Sequence, residues 1–272
     1  MSNLFTEWNK GELESYLIEI TSKILNKKDD QTSEGYVVDK ILDKTGMKGT
    51  GRWTVQEAAE QSVAAPTIAS ALDSRYISAR KDERLAAEKI LVGPTEKPAV
   101  DKDQVIKDLQ SALYAAKVVS YAQGLGIIKA ASDANNWNVD MALCARMWRG
   151  GCIIRAQLLA GIQAALARDV NLPNLMVDPG FAEELNARHM AWRRIVTLAI
   201  ASGIATPALS SSLAYYDQYR RGSLPANLVQ AQRDFFGGHT FERSDMSGTF
   251  HTAWTDTHKD IGDLAGRTAG EV

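Results

Sequence analysis

Apolar residues recur at helical spacing through most of the chain. Leu13, Leu17, Ile20 and Ile24 share one stripe, which predicts an amphipathic helix over Gly11 to Leu25. After a polar break from Lys27 to Ser33, Tyr36-Val37-Val38 and Ile41-Leu42 predict a short helix that Thr45-Gly46 stops. A further helix is expected over Thr54 to Ser62 with Thr54 as its cap. Pro66 opens another to Ser78, with Ile68, Leu72 and Tyr76 on one face and Arg75 beside them. Lys81-Asp82-Glu83-Arg84 begins a charged helix to Leu91, and Gly93-Pro94 closes this half.

The second half opens at Asp101 or Asp103 with a helical run to Asn135, about 45 to 50 Å long at the usual rise. Its Ala112, Ala115, Ala116, Ala122 and Gly124 leave room for neighbouring helices to pack close. Helices are predicted next over Met141 to Trp148, with Asn138 or Asp140 as cap, and over Ile153 to Arg168. Others follow over Phe181 to Ser202, Pro207 to Tyr219 and Ala226 to Asp234. Beyond them lies a polar, aromatic tail that cannot make a core of its own; Phe235, Phe236, Phe241, Phe250 and Trp254 predict that it docks on another surface.

The two halves match each other. Trp8-Asn9-Lys10-Gly11 pairs with Trp148-Arg149-Gly150-Gly151, Trp53 with Trp192, and the run from Ala65 to Leu72 with that from Thr206 to Leu213, at offsets of 139 to 141. Three landmarks at one period predict an internal duplication: an incomplete first helical repeat over 1–94, a second over 101–234 and an extended tail over 235–272. The first copy has no counterpart of the long helix that starts near Val105. Leu4, Phe5, Trp8 and Leu13 are therefore expected to lack the partner their repeat-mates have.

Charge changes the picture by restricting where chemistry can sit. Lys and Arg total 31 against 33 Asp and Glu, and a net charge of -2 creates no global field to draw nucleic acid or an anionic membrane. Any anion site must be local, and one stretch qualifies. Lys48-Gly49-Thr50-Gly51-Arg52-Trp53-Thr54 puts two cations, hydroxyls and two glycines just ahead of a helix, where backbone amides point outward. Cys144 and Cys152 stand eight residues apart in a helical stretch, about 12 Å of rise, so two buried free thiols are expected rather than a bridge. His189, His251 and His258 have no Cys or carboxylate at metal spacing, and no metal site is expected. The start carries no secretory or transit character and no window holds a membrane-spanning apolar run, so a soluble, cytoplasmic protein is expected, with a plastid left open.

Several segments carry a family resemblance. Besides Lys48 to Thr54 they are Lys81-Asp82-Glu83-Arg84, Ser120-Tyr121-Ala122-Gln123-Gly124, Gly151 to Gln157, Leu224 to Asp234 and Gly238-His239-Thr240. In order and over essentially the whole chain, they resemble the decarboxylating 6-phosphogluconate dehydrogenases. The resemblance implies an all-α fold: a duplicated multi-helix domain of the C-terminal type with an extended tail, in a homodimer whose tail reaches the other subunit. The family oxidises 6-phosphogluconate with NADP and decarboxylates the 3-keto acid to ribulose 5-phosphate. By motif position, Lys48, Thr50 and Arg75 resemble its phosphate-binding residues, and Arg233 and His239 resemble the pair that the tail delivers to the partner's site. Arg52 stands where the family usually has Lys, keeping the charge with a different donor geometry.

The Gly-rich nucleotide-binding turn that follows an N-terminal strand in this family does not occur in these residues, so no N-terminal Rossmann domain is expected here. The family's catalytic Lys and Glu lie on the helix before the stretch that matches Met1. The resemblance thus implies that no catalytic residue is resident, that NADP does not bind this chain and that the chain alone is inactive. Two readings result: the substrate-binding and dimerisation portion of the dehydrogenase, or a stand-alone non-catalytic relative that binds a sugar phosphate or regulates full-length subunits.

Overall fold

A computed structural model describes residues 1–32, 34–96 and 98–254. They form two bodies, Met1–Asp217 and a smaller one from Gln218 onward. The first holds α1 (Ser2–Trp8), α2 (Tyr16–Asn26), α3 (Val37–Lys40), α4 (Thr50–Glu60), α5 (Pro66–Ala79) and α6 (Lys81–Ala87). These lead to α7 (Lys102–Asn135), α8 (Met141–Met147), α9 (Leu158–Arg168), a 3-10 turn at Leu175–Val177, α10 (Pro179–Ala201) and α11 (Pro207–Tyr219), whose last two residues fall past the boundary. The second body contains α12 (Ala226–Gly237) and a two-residue antiparallel pair, β1 (Phe241–Glu242) with β2 (Thr249–Phe250).

The larger body is built on α7. Asp101 starts it by accepting hydrogen bonds from the Asp103 and Gln104 amides at 2.9 and 3.3 Å, and Asn136 ends it in the left-handed conformation at φ 55°. Its small face, Ala112, Ala115, Ala116 and Ala122, is buried, and α10 packs along it with Leu185, Trp192, Ile195 and Val196. Leu159 and Ile162 of α9 complete this core. Arg194 of α10 clamps Asp108 of α7 with two bonds of 2.7 Å. That pairing, more than the burial that opposes it, holds the Asp108 carboxyl below its ordinary pKa.

The two helices that the sequence aligns at an offset of 141 meet. Ser70 of α5 and Ser211 of α11 share a hydrogen bond of 2.7 Å, and Thr67 and Ser212 one of 2.8 Å. Buried Gln123 of α7 secures this seam, accepting from the Thr67 amide at 3.0 Å and donating to the Thr67 hydroxyl at 2.9 Å.

Several local expectations are corrected. An additional helix, α1, puts Trp8 with Leu13 and Ile18 against Ile106, Leu109, Leu113 and Tyr114 of α7. Leu4, Phe5, Trp8 and Leu13 therefore have a partner in the second half's long helix and are not left bare. The open apolar surface lies elsewhere: Leu17, Trp53, Ile68, Ile128 and Ile153 line a groove of about 910 Å³. Lys117 also lines it, donating to Ser15 Oγ at 3.4 Å, and burial brings its amine down to about 8. The predicted cap at Thr54 is wrong. α4 begins four residues earlier because Gly49 takes φ 112°, and the Thr54 hydroxyl instead donates to the Thr50 carbonyl. The helix near Tyr36 spans one turn, and α9 starts at Leu158 rather than Ile153. Cys144 and Cys152 are unbridged, as expected, but half-buried rather than buried.

Candidate functional site

The turn bearing Lys48 is irregular backbone, and three attachments hold it to α5 and α6. Asp43 accepts from Lys81 at 2.6 Å and from Arg84 at 3.0 Å, which together hold its carboxyl down at about 2. The Thr45 amide and hydroxyl bond the Ser78 hydroxyl at 3.1 and 2.8 Å. Arg75 Nη2 donates to the Gly46 carbonyl, two residues before Lys48. The Lys81-Asp82-Glu83-Arg84 segment thus anchors the turn through its first and last residues.

Gly49 is required where this turn enters α4. Its φ of 112° is open to glycine, and a Cβ there would lie 3.1 Å from the Trp53 ring. No side chain caps α4, so the donors of its first turn are left to solvent or an anion. A Cβ on Gly51 would sit 3.4 Å from Leu72 of α5, so this helix start faces α5 one turn from Arg75. Lys48, Thr50 and Arg75 are all exposed. The structure therefore brings Arg75 to the turn that carries Lys48 in sequence and leads through Gly49 into the uncapped start of α4 at Thr50.

Arg233 and His239 lie in the second body, at the end of α12 and just past it. Arg233 Nη1 donates to Gln230 Oε1 at 3.0 Å, and the His239 ring packs edge-on against Phe236. The centre of this body is Asp234, which is wholly buried. Its carboxylate accepts from the Thr240 amide at 2.8 Å, His251 Nδ1 at 2.8 Å, the Thr252 amide at 3.2 Å and Trp254 Nε1 at 2.8 Å. Burial alone would raise its pKa; bonds from His251, Trp254, Thr252 and Thr240 outweigh that and hold it at about 2. The tail is thus folded back on α12 as far as Trp254; its remainder, with His258, lies outside the described residues.

A pH prediction arises here. A carboxyl at about 2, against an ordinary 3.8, stabilises this body fully above pH 4. That contribution is lost as pH falls from about 4 through about 2. Followed by carboxyl-carbon NMR, Asp234 itself should titrate at about 2, and a midpoint at or above the ordinary 3.8 would contradict it.

The groups that hold the candidate cations were not legible in the sequence: Asp43, Lys81 and Arg84 for the turn, Asp234 and Gln230 for the tail. Asp43 bonds residues 38 and 41 positions away, and such partnerships leave no periodic trace. The nearest signal was Lys81-Asp82-Glu83-Arg84 itself, a charged cluster without an assigned task. Among the described residues no three His, Cys, Asp or Glu gather as a metal site, and no helix is long and apolar enough to cross a membrane.

Comparison with known proteins identifies the family of this fold. The profile of the family described as 6-phosphogluconate dehydrogenase, C-terminal domain, matches residues 1–254. A rice protein named 6-phosphogluconate dehydrogenase, decarboxylating 1, is 59% identical over 255 residues, covering 93% of this chain and 53% of its own length. A chloroplastic relative from Arabidopsis thaliana is 56% identical over 263 residues, 94% of this chain and 54% of that protein. Among solved structures, 6-phosphogluconate dehydrogenase of Plasmodium falciparum, studied in its apo form and with NADP+ or 6-phosphogluconate, superposes with a TM-score of 0.87 at 46% identity. That alignment covers 93% of this chain and 54% of the Plasmodium one. The chain spans about half the length of the curated relatives it matches.

Proposed function

We propose a function from one premise: the chain belongs to the 6-phosphogluconate dehydrogenase family, as its all-α C-terminal domain. In this reading it provides the substrate-phosphate site and dimer scaffold of an NADP-dependent enzyme that oxidises 6-phosphogluconate and decarboxylates it to ribulose 5-phosphate. Lys48, Thr50 and Arg75 of one copy take the phosphate, and Arg233 and His239 of a second copy complete the pocket. The observation that carries this is the attachment of Arg75 to Gly46, which brings its guanidinium to the Lys48–Thr50 turn beside the uncapped start of α4.

A phosphate dianion needs several charge-assisted donors; Arg gives two parallel bonds, and Lys acts as a point charge. Holding the phosphate end fixes the sugar acid far from its reacting carbons, so binding energy there is available to orient the chemistry. These residues do not fit NADP. The described strands are two residues long, and Gly49-Thr50-Gly51 follows irregular backbone rather than a buried strand, unlike a dinucleotide-binding turn. We assign NADP to the rest of the parent enzyme, and place this protein in the cytoplasm, with a plastid equally suited to its chloroplastic relatives.

Two measurements test the reading. The purified 272-residue chain should reduce no NADP at any 6-phosphogluconate concentration, and turnover by material free of full-length enzyme would refute it. Calorimetry should detect 6-phosphogluconate binding that Arg75→Ala weakens.

A further inference from the structure

We infer that Asp234 and Gln230 are positioning residues, which clamp Thr240 from both sides and so hold Arg233 and His239 on one face of the end of α12. The inference rests on the phosphate reading of that pair.

Thr240 has φ 60°, a left-handed conformation that a β-branched residue rarely adopts. Such backbone persists where its surroundings over-determine it, and here both peptide groups of Thr240 are engaged. Its N–H donates to Asp234 Oδ1 at 2.8 Å, and its carbonyl accepts from Gln230 Nε2 at 2.5 Å. His239 immediately precedes this fixed residue, and Arg233 immediately precedes Asp234.

The faces agree. Gln230, Arg233 and Gly237 succeed one another at helical spacing along α12. The His239 ring folds back over Gly237, so that a Cβ on Gly237 would lie 2.6 Å from Nε2. Gln230 spans the gap, with its oxygen on Arg233 and its nitrogen on the Thr240 carbonyl.

The clamp also leaves the Arg233 charge available. Asp234, next in sequence to Arg233, has both oxygens committed to Thr240, His251, Thr252 and Trp254. Arg233 rests instead on the neutral amide of Gln230, which an anion can displace without breaking an ion pair. Without the clamp, the ordering of residues 238–240 would fall on each binding event.

The test is the Kd for 6-phosphogluconate, measured by calorimetry on the full chain with four variants. Asp234→Asn turns a donor toward groups that are themselves donors and should weaken binding roughly tenfold; Gln230→Leu should weaken it by roughly threefold. Neither should weaken it further in an Arg233→Ala, His239→Ala background, because the clamp acts only through those side chains. The His239 imidazole NMR signals should broaden in both clamp variants. Native affinity in Gln230→Leu and Asp234→Asn, while Arg233→Ala and His239→Ala still weaken binding, would overturn the positioning role and leave the phosphate reading intact. Additive losses in the combined variants would overturn it too. Native affinity in Arg233→Ala and His239→Ala would overturn the phosphate reading and this inference together. Should Asp234→Asn fail to fold, the half-buried Gln230 gives the same cycle.

Discussion

Replacing Trp192 with alanine is expected to destabilise the larger body by about 3 to 5 kcal/mol, the usual cost of emptying a large aromatic site. The indole is wholly buried at the centre of the main core, packs 6.1 Å from the Tyr216 ring, and donates from Nε1 to the Leu209 carbonyl at 3.1 Å. Its loss removes contacts to both α7 and α11 at once, and α10 cannot collapse inward because Arg194, two residues on, is fixed to Asp108. For a body of this length each kcal/mol corresponds to about 2 to 4 °C, so the thermal midpoint should fall by roughly 6 to 20 °C. Circular dichroism melts at matched protein concentration would show it. A shift below about 2 °C would mean that α7, α10 and α11 do not unfold as one unit.

Arg75→Ala has the largest expected effect on binding. Hydrogen bonds to a charged group are worth about 1.5 to 3 kcal/mol, so its removal should raise the Kd for 6-phosphogluconate by about tenfold to 150-fold. Arg75 is exposed, and its structural bond is one contact to Gly46 in a turn that Asp43 and Thr45 also anchor, so the fold should be preserved. Arg75→Lys sharpens the test. It keeps the charge but not the fork of parallel donors, and should recover only part of the affinity. Equal binding by all three proteins would remove Arg75 from the site.

Much of the fold could be read in the residues where a local rule and a long-range demand coincide. Pro66, Pro207 and Asp101 mark helix starts that the structure keeps, because ring geometry and side-chain capping act within a turn. The Thr54 cap failed because the deciding fact, a left-handed Gly49, depends on the turn behind it and on Trp53 above it. α1 escaped notice because its few apolar residues become a helix face only once Ile106 and Leu113 of α7 lie beneath them. The site divides in the same way. Lys48, Thr50, Arg75, Arg233 and His239 are proposed from motif resemblance, whereas the groups that hold their segments, Asp43, Gln230 and Asp234, act through tertiary bonds.

The central claim is that one copy's turn and another copy's tail form a single phosphate site, and subunit mixing tests it most directly. Arg75→Ala and Arg233→Ala chains should each bind 6-phosphogluconate poorly alone. Denatured, combined in equal amounts and refolded, they should recover about one tight site per four chains, because half of the random dimers pair an intact turn with an intact tail. If both residues served the same copy's pocket, every chain in the mixture would remain defective, and no tight binding would return.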